Sequence, residues 1–316
     1  MKLSIKESKK ICWDLDLGKF KSIKLIKGGL VNFNFILKTD KGEFIIRMMG
    51  QKITPGKQKR LNYEFELMEF LNRSKFPYLT PYPIKSNTKR ILHKINNKDF
   101  WVYKKLPGKS KTTSPNLHQV KELAKALATY HKYVKNFKIK KNGFPKYLKW
   151  VLEEINNCNP KKNKDKIEDL ALKEKDFFKK IVQREIKRNY SKNVIASHSD
   201  FDASNVLFKG NKIIGIIDFD DFDYSPKIRD IAVALRDSCT IRNKLDPKRT
   251  RIFLDEYKKV NKLSKEEESL IPNMMLAENA AFFIWAYSKM KKEKENRYKF
   301  MREMSIQSRN LLESLK

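Results

Sequence analysis

Between residues 195 and 208 the chain reads "IASHSDFDASNVLF", with His198, Asp200, Asp202 and Asn205 enclosed by apolar residues on both sides. His198, Asp200 and Asn205 follow the spacing H-x-D-x-x-x-x-N. Beyond the apolar run "IIGII" (213–217) stands Asp218, the first of four acids in "DFDDFD": Asp218, Asp220, Asp221 and Asp223. These residue types suit phosphoryl transfer. One carboxylate can align an attacking hydroxyl and accept its proton, while an amide oxygen and a second carboxylate hold the magnesium ions that bridge the phosphates. The residues between Asp200 and Asn205 let a loop turn back so that both side chains face one pocket, and the apolar strand then delivers Asp218 to it. The same Asp and Asn could instead cap the backbone of a tight polar turn. Asp218 at the end of the next apolar strand, with a β-rich region upstream, favours the chemical reading.

The elements that must position these groups follow from hydrophobic period and turn chemistry. Ser4 and Glu7 form a capping-box pattern that opens a short helix ending near Trp13. Residues 22–27, 31–39 and 43–49 alternate like strands, separated by Gly28-Gly29 and by Asp40-Lys41-Gly42, and predict an antiparallel meander. A helix over 57–73 places Leu61, Phe65, Met68 and Leu71 on one face. Two prolines in "YLTPYPI" stop it. A second hairpin spans 90–95 and 99–106 about Asn96-Asn97-Lys98, and Pro107-Gly108 ends the strand pattern. Beyond it the chain is mainly helical. Ser114-Pro115 reads as an N-cap and first-turn pair for a helix carrying Leu117, Val120, Leu123, Ala124, Leu127, His131 and Val134. "NPKKNKDK" (159–166) is a charged loop. "NVLF", a turn at 209–212 and "IIGIIDF" form a short hairpin, Ser264 and Glu267 repeat the capping box, and "AAFFIWAY" (280–287) reads as a buried helix. The expected architecture is α+β. A small antiparallel β-sheet lobe with one helix spans residues 1–105, a hinge lies near 103–109, and a larger mainly helical lobe, 106–316, carries the chemistry.

Composition removes several classes. Lys and Arg number 70 against 37 acids, a net charge of +33. The basic residues are spread along the chain, and no RNP, zinc-finger or KH-type motif is present, so no specific nucleic-acid partner is expected. Salt-sensitive binding to polyanions is. Cys12, Cys158 and Cys239 are distant and odd in number, which argues against a disulfide framework or a zinc site and for a reducing, cytoplasmic setting. No apolar run is long enough to span a bilayer, and the first ten residues lack the apolar core of a signal peptide.

The chain resembles the aminoglycoside phosphotransferase and choline kinase superfamily, small-molecule relatives of the protein kinases, over nearly its whole length. "HSDFDASNVLF" resembles that family's H-G-D-x-x-x-x-N loop, "IIGIIDFDDFDYSPKIRDIAVAL" its metal-Asp strand and the helix start after it, and "LAKALATYH" (123–131) the helix under the catalytic loop. "LSKEEESL" resembles the late helix of the homoserine and choline kinase branches. The resemblance implies a protein-kinase-like two-lobe fold and a small-molecule kinase that uses ATP and Mg2+. By position, Asp200 is the catalytic base and His198 braces the loop. Asn205 and Asp218 hold the metal, and Asp230 stabilises the loop through hydrogen bonds. Gly28 and Gly29 occupy the phosphate-covering loop. Arg47 stands where the protein kinases place a phosphate-binding Lys; Arg can clamp phosphate bidentately. Its carboxylate partner is Glu64, with Glu66 the fallback, and Tyr103 at the hinge belongs to the nucleotide-binding set.

The departures from the pattern matter as well. Ser199 replaces the usual Gly or Arg of the loop, and Asp220 stands where protein kinases have the Gly of D-F-G. With no A-P-E motif and no activation loop, the chain does not read as a protein kinase. If strand alternation persists, Asp218 and Asp220 point one way and Asp221 the other. Asp220 or Asp223 would then hold the ammonium group of an acceptor, with Arg229 as a neutralising cation. The expected partners are ATP and a small hydroxyl-bearing metabolite or antibiotic of homoserine, choline or aminoglycoside type, the first two favoured. The competing reading is a catalytically silent kinase fold that binds nucleotide or RNA.

Overall fold

The computed structural model describes residues 3–26, 32–111, 113–137, 143–188, 190, 193–290 and 294–315, so Gly28 and Gly29 lie outside the described residues. The chain forms two compact units. The first holds Met1–Gly108 and Ile214–Asp220, the second Lys109–Ile213 and Asp221–Lys316.

The first unit opens with α1 (Ile5–Asp14), where the Ser4 hydroxyl and the Glu7 carboxylate cap each other's backbone amides as the sequence predicts. Strands β1 (Phe20–Leu25), β2 (Phe33–Thr39) and β3 (Gly42–Met48) follow as an antiparallel meander. Then come α2 (Pro55–Arg73), β4 (His93–Ile95) and β5 (Lys98–Lys104). The sheet order is β1-β2-β3-β5-β4. One face of the sheet packs Phe35, Leu37, Phe44, Ile46, Met48, Phe100 and Val102 with Ile11 and Cys12 of α1. On the other face, Phe65 of α2 meets Trp101 of β5 edge-on at 5.4 Å. Strand β3 is therefore buried on both sides from Phe44 to Met48, and Arg47 is the single charge in that run. Ile214–Asp220 belongs here because Leu79 N donates to Ile214 O (2.9 Å) and Ile216 N to Leu79 O (2.8 Å).

The second unit holds α3 (Leu117–Val134), α4 (Phe144–Asn157), α5 (Lys166–Ile186), β6 (Val194–Ser197) and β7 (Val206–Lys209). The chain then turns at Gly210 (φ 63°) into β8 (Lys212–Ile216), which runs across the boundary of the two units. After β8 come β9 (Asp223–Pro226), α6 (Ile228–Ser238), the short pair β10 (Thr240–Ile241) and β11 (Lys244–Leu245), α7 (Pro247–Val260), α8 (Lys265–Lys289) and α9 (Lys294–Ser314). Helix α3 does not start at Ser114-Pro115. Asn116 caps it: its Oδ1 accepts from Gln119 N (3.0 Å), and Gln119 Oε1 accepts from Asn116 N (2.9 Å). A reciprocal pair satisfies two otherwise unpaired amides, which a Ser-Pro start does not. The 280–287 run is buried inside α8, as expected. Strand β9 was not anticipated. It pairs antiparallel with β6, Ser197 opposite Asp223 and Val194 opposite Pro226. Among the described residues no helix is long and apolar enough to cross a membrane.

Candidate active site

In the second unit the loop between β6 and β7 carries His198, Asp200 and Asn205. Its shape is set from below by Asp230, in the first turn of α6 and inaccessible to solvent. The Asp230 carboxylate accepts from His198 N (2.8 Å), Ser199 N (2.6 Å) and His131 Nε2 (2.9 Å). Burial opposes its charge, but the His131 hydrogen bond and the amides hold its carboxyl below the ordinary range. His131, on α3, is fully buried, and that burial lowers its pKa despite Asp230. An ionised carboxylate only accepts, so Nε2 carries the imidazole proton and Nδ1 accepts from Tyr257 Oη, 2.7 Å away. The two amides drawn to Asp230 fold the loop back at Ser199, which sits in the left-handed region at φ 68°. His198 is buried edge-on between the rings of Phe201 (5.7 Å) and Tyr130 (6.3 Å).

Asn205 Nδ2 donates to Asp200 Oδ2 (2.8 Å) and to Asp200 O (2.8 Å). Asp202, which the sequence reading gave no role, closes the loop. Its Oδ1 accepts from Ser204 N (2.6 Å), Ser204 Oγ (2.6 Å) and Asn205 N (3.1 Å). Its place two residues before Ser204 is an Asx-turn signal that was available in the sequence. Burial pushes the Asp200 carboxyl well above its ordinary range, and Asp202, Asp221 and Asp237 push in the same direction against Arg236. Because Asn205 Nδ2 is engaged, the carboxamide oxygen Oδ1 is its remaining ligating atom. Oxygen donors amid an excess of negative charge fit Mg2+. Among the described residues no three His, Cys, Asp or Glu side chains form a metal cage. A site of one amide, one or two carboxylates and phosphate oxygens does not need one.

In the first unit Arg47, Asp218 and Asp220 meet. Arg47 Nη2 donates to Asp218 Oδ1 (2.7 Å) and to Asp220 Oδ2. Asn32 Nδ2 also donates to Asp220, and Asn32 Oδ1 accepts from Gly50 N (3.2 Å). Arg60 Nη2 reaches Asp220 O (3.1 Å). This corrects the pairing expected for Arg47: its hydrogen bonds go to Asp218 and Asp220, not to Glu64. Strand β8 ends at Ile216 and Asp218 turns left-handed (φ 64°), so a turn, rather than strand alternation, brings both carboxylates to one guanidinium. Glu64 is nonetheless buried and Glu66 exposed. Burial first, and Asp220 next, push the Glu64 carboxyl well up, against the pull of Arg47. Tyr103 is buried in β5 with its ring 5.0 Å from Trp101, and burial pushes its hydroxyl up to about 12.

The two acids expected to hold an acceptor amine belong to different units. Asp220 is tied to Arg47 and Asn32 in the first unit. Asp223 begins β9 in the second, where its Oδ1 accepts from Tyr224 N (2.8 Å). Its carboxylate lies against Gly143, the N-cap of α4; a Cβ at that position would stand 2.5 Å from Asp223 Oδ1.

Residues 22–261 match the model of the phosphotransferase enzyme family, APH. The homoserine kinase of Methylobacillus flagellatus is 26% identical over 274 residues, covering 85% of this chain and 80% of that protein. The homoserine kinase of Bradyrhizobium diazoefficiens is 27% identical over 268 residues, 84% of this chain and 78% of that protein. The fold is similar to a solved aminopropanol kinase associated with a microcompartment (TM-score 0.73, 13% identity, 99% and 98% of the two chains). It is also similar to an amicoumacin kinase in complex with AMP-PNP, Ca2+ and Ami (TM-score 0.72, 17% identity, 97% and 94%). The kinase-like fold and the match across most of the sequence agree with the loop, and the chain belongs to the phosphotransferase enzyme family, as a small-molecule kinase.

Proposed function

We propose that the chain transfers the γ-phosphate of ATP to the hydroxyl of a small acceptor of the homoserine class. The observation that carries this reading is the Asp200–Asn205 pair. One amide group fixes both the backbone and the carboxylate of Asp200 while keeping its oxygen available. In this reading Asp200 orients the acceptor hydroxyl and receives its proton as the O–P bond forms. Asn205, through Oδ1, and Asp218 are the residues that would hold Mg2+, which when bound neutralises the charge of the phosphates. Arg47 orients Asp218 and supplies positive charge for the phosphates. The excess of carboxylates about Asp200, in a chain of net charge +33, suits an acceptor that carries an ammonium group. Homoserine leads the acceptors because proteins named homoserine kinase align along 85% of the chain. Choline-type and aminoglycoside acceptors are the next to assay. Of the two acids considered for the amine, Asp223 is the better placed, since Asp220 already binds Arg47. The test is transfer of label from γ-32P-ATP with Mg2+ to homoserine, choline, ethanolamine and aminoglycosides. Homoserine is expected to be labelled fastest, and labelling of none of these acceptors would refute the reading.

A further inference from the structure

Ser199 combines two features that pull against each other. Its φ of 68° lies in the left-handed region that favours glycine, where a side chain strains the backbone. Yet its hydroxyl is held on two sides within the buried interior. Arg229 Nη1 donates to Ser199 Oγ (3.1 Å), and Ser197 Oγ lies 3.2 Å away. Ser197 Oγ is itself tied to Asp223 O (2.9 Å) and to Ser225 Oγ. A buried ionic group anchors this chain of bonds. Arg229 Nε donates to Glu278 Oε1 on α8 (2.8 Å), and Tyr147 Oη on α4 donates to Glu278 Oε2 (3.2 Å). The Arg229 guanidinium lies 4.1 Å over the Tyr147 ring. Burial opposes the charge of Arg229, but Glu278, Tyr147 and Asp223 together raise its pKa above the ordinary value, so the guanidinium stays charged. Both side chains are almost inaccessible, Arg229 at 6% and Glu278 at 1%. Three helices, α4, α6 and α8, thus converge through one guanidinium on the residue that immediately precedes Asp200.

We infer that Ser199 is a positioning residue: its hydroxyl, clamped by Arg229 and Ser197, fixes the left-handed turn that presents Asp200, and Arg229, Glu278 and Tyr147 transmit the rigidity of the helices to that turn. Asp230 holds the backbone of the turn, and Ser199 holds its side. The inference rests on Asp200 being the catalytic base. A Ser at a glycine-favouring position is explained by the bonds its hydroxyl makes, because a hydrogen bond from a charged donor is stronger than a neutral one and offsets the backbone strain.

Ser199→Gly and Ser199→Ala separate the hydroxyl from the backbone. Glycine relieves the left-handed turn and removes the hydroxyl; alanine keeps the Cβ and removes the hydroxyl. Two readouts are taken on the full chain: Mg-ATP turnover with homoserine as acceptor, and hydrogen exchange in the peptide covering residues 195–205. The expected result is a kcat lower by about tenfold or more in both variants, with KM for Mg-ATP within about twofold and the melting temperature of Ser199→Gly not reduced. Exchange at His198 and Ser199 becomes faster by about tenfold. Wild-type kcat in Ser199→Gly would overturn the inference, as would unchanged exchange at 198–199. If the wild-type chain labels no acceptor, the proposed function falls, and the exchange readout still decides the clamp: faster exchange in both variants supports it, unchanged exchange overturns it.

Discussion

In the sheet-bearing unit three acids, Glu64, Asp218 and Asp220, surround one buried guanidinium, that of Arg47. In the helical unit the charges about Asp200 are those of Asp202, Asp221 and Asp237, with Arg236 opposing them from a side chain already paired to Asp237. The first group brings its own cation, which pairs with Asp218 and Asp220, while Glu64 beside them is pushed up by burial and by Asp220. The second keeps a carboxylate among carboxylates, where burial and like charge both disfavour ionisation. Burial and these neighbours hold the Asp200 carboxyl well above its ordinary range. The two units therefore place buried carboxylates in different surroundings, one with a guanidinium paired to two of them and one with like charges around Asp200.

The sharpest way to break this contrast is to remove the acid on each side. Asp200→Asn is expected to lower kcat by about 10²–10⁴-fold, the usual cost of losing a general base, while leaving the affinity for Mg-ATP and the melting temperature near wild type. A large loss of stability with unchanged kcat would show that Asp200 serves the fold and not the transfer. Asp218→Asn should abolish Mg-dependent turnover, and isothermal titration with Mg-ATP should show the affinity lost with it. Normal activity of that variant at low Mg2+ would remove Asp218 from the metal site.

Arg47 offers the next largest effect, and here the expected damage is to folding as well as function. Arg47→Ala removes the guanidinium that pairs with Asp218 and Asp220, and breaking a buried ion pair from one side costs about 3–5 kcal/mol. Urea unfolding should record that loss, and the KM for ATP should rise. Arg47→Lys should recover part of both, since the charge returns without the planar fork. If neither variant changes stability, the compensation seen in the first unit carries no energetic weight.

The smallest expected effect is on pH dependence. Burial lowers the pKa of His131 in the helical unit and of His93 in the sheet unit, from an ordinary value of 6.5 in both cases. The unfolded chain then binds these protons more readily than the folded one below pH 6.5. The sign follows: their contribution to stability is fully present above pH 6.5 and is lost as pH falls from there toward the folded pKa. Thermal melts between pH 7 and pH 5 should show a falling midpoint, and His131→Gln should have the shallower slope. An identical slope would mean that another group sets the dependence.

Local chemistry made much of this legible from the sequence. The Ser4–Glu7 and Ser264–Glu267 boxes, the meander about Asp40-Lys41-Gly42 and the face of α2 depend on neighbours a few residues apart, and all appear in the structure. The partner of Arg47 was not legible, because it depends on where β8 stops and on the left-handed turn at Asp218. Alternation is a property of extended backbone and gives no guidance beyond Ile216. Strand β9 was missed for a similar reason: four residues carrying one acid, one aromatic, a serine and a proline have no period of their own and become a strand only by pairing with β6. The Ser114-Pro115 start lost to Asn116 because two favourable caps stood within three residues, and only Asn116 has Gln119 at the reciprocal position. The clamp on Ser199 joins residues from α4, α6 and α8 and leaves no mark in any single stretch.

Whether Asp200 is the base of an ATP-dependent transfer to a small hydroxyl acceptor is decided by comparing two proteins. Wild-type and Asp200→Asn protein are incubated with γ-32P-ATP, Mg2+ and homoserine, and labelled product is followed with time. The account predicts Mg-dependent phosphohomoserine from the wild type and a rate at least about 100-fold lower from Asp200→Asn, with Mg-ATP binding preserved in both. Equal rates from the two proteins would contradict it.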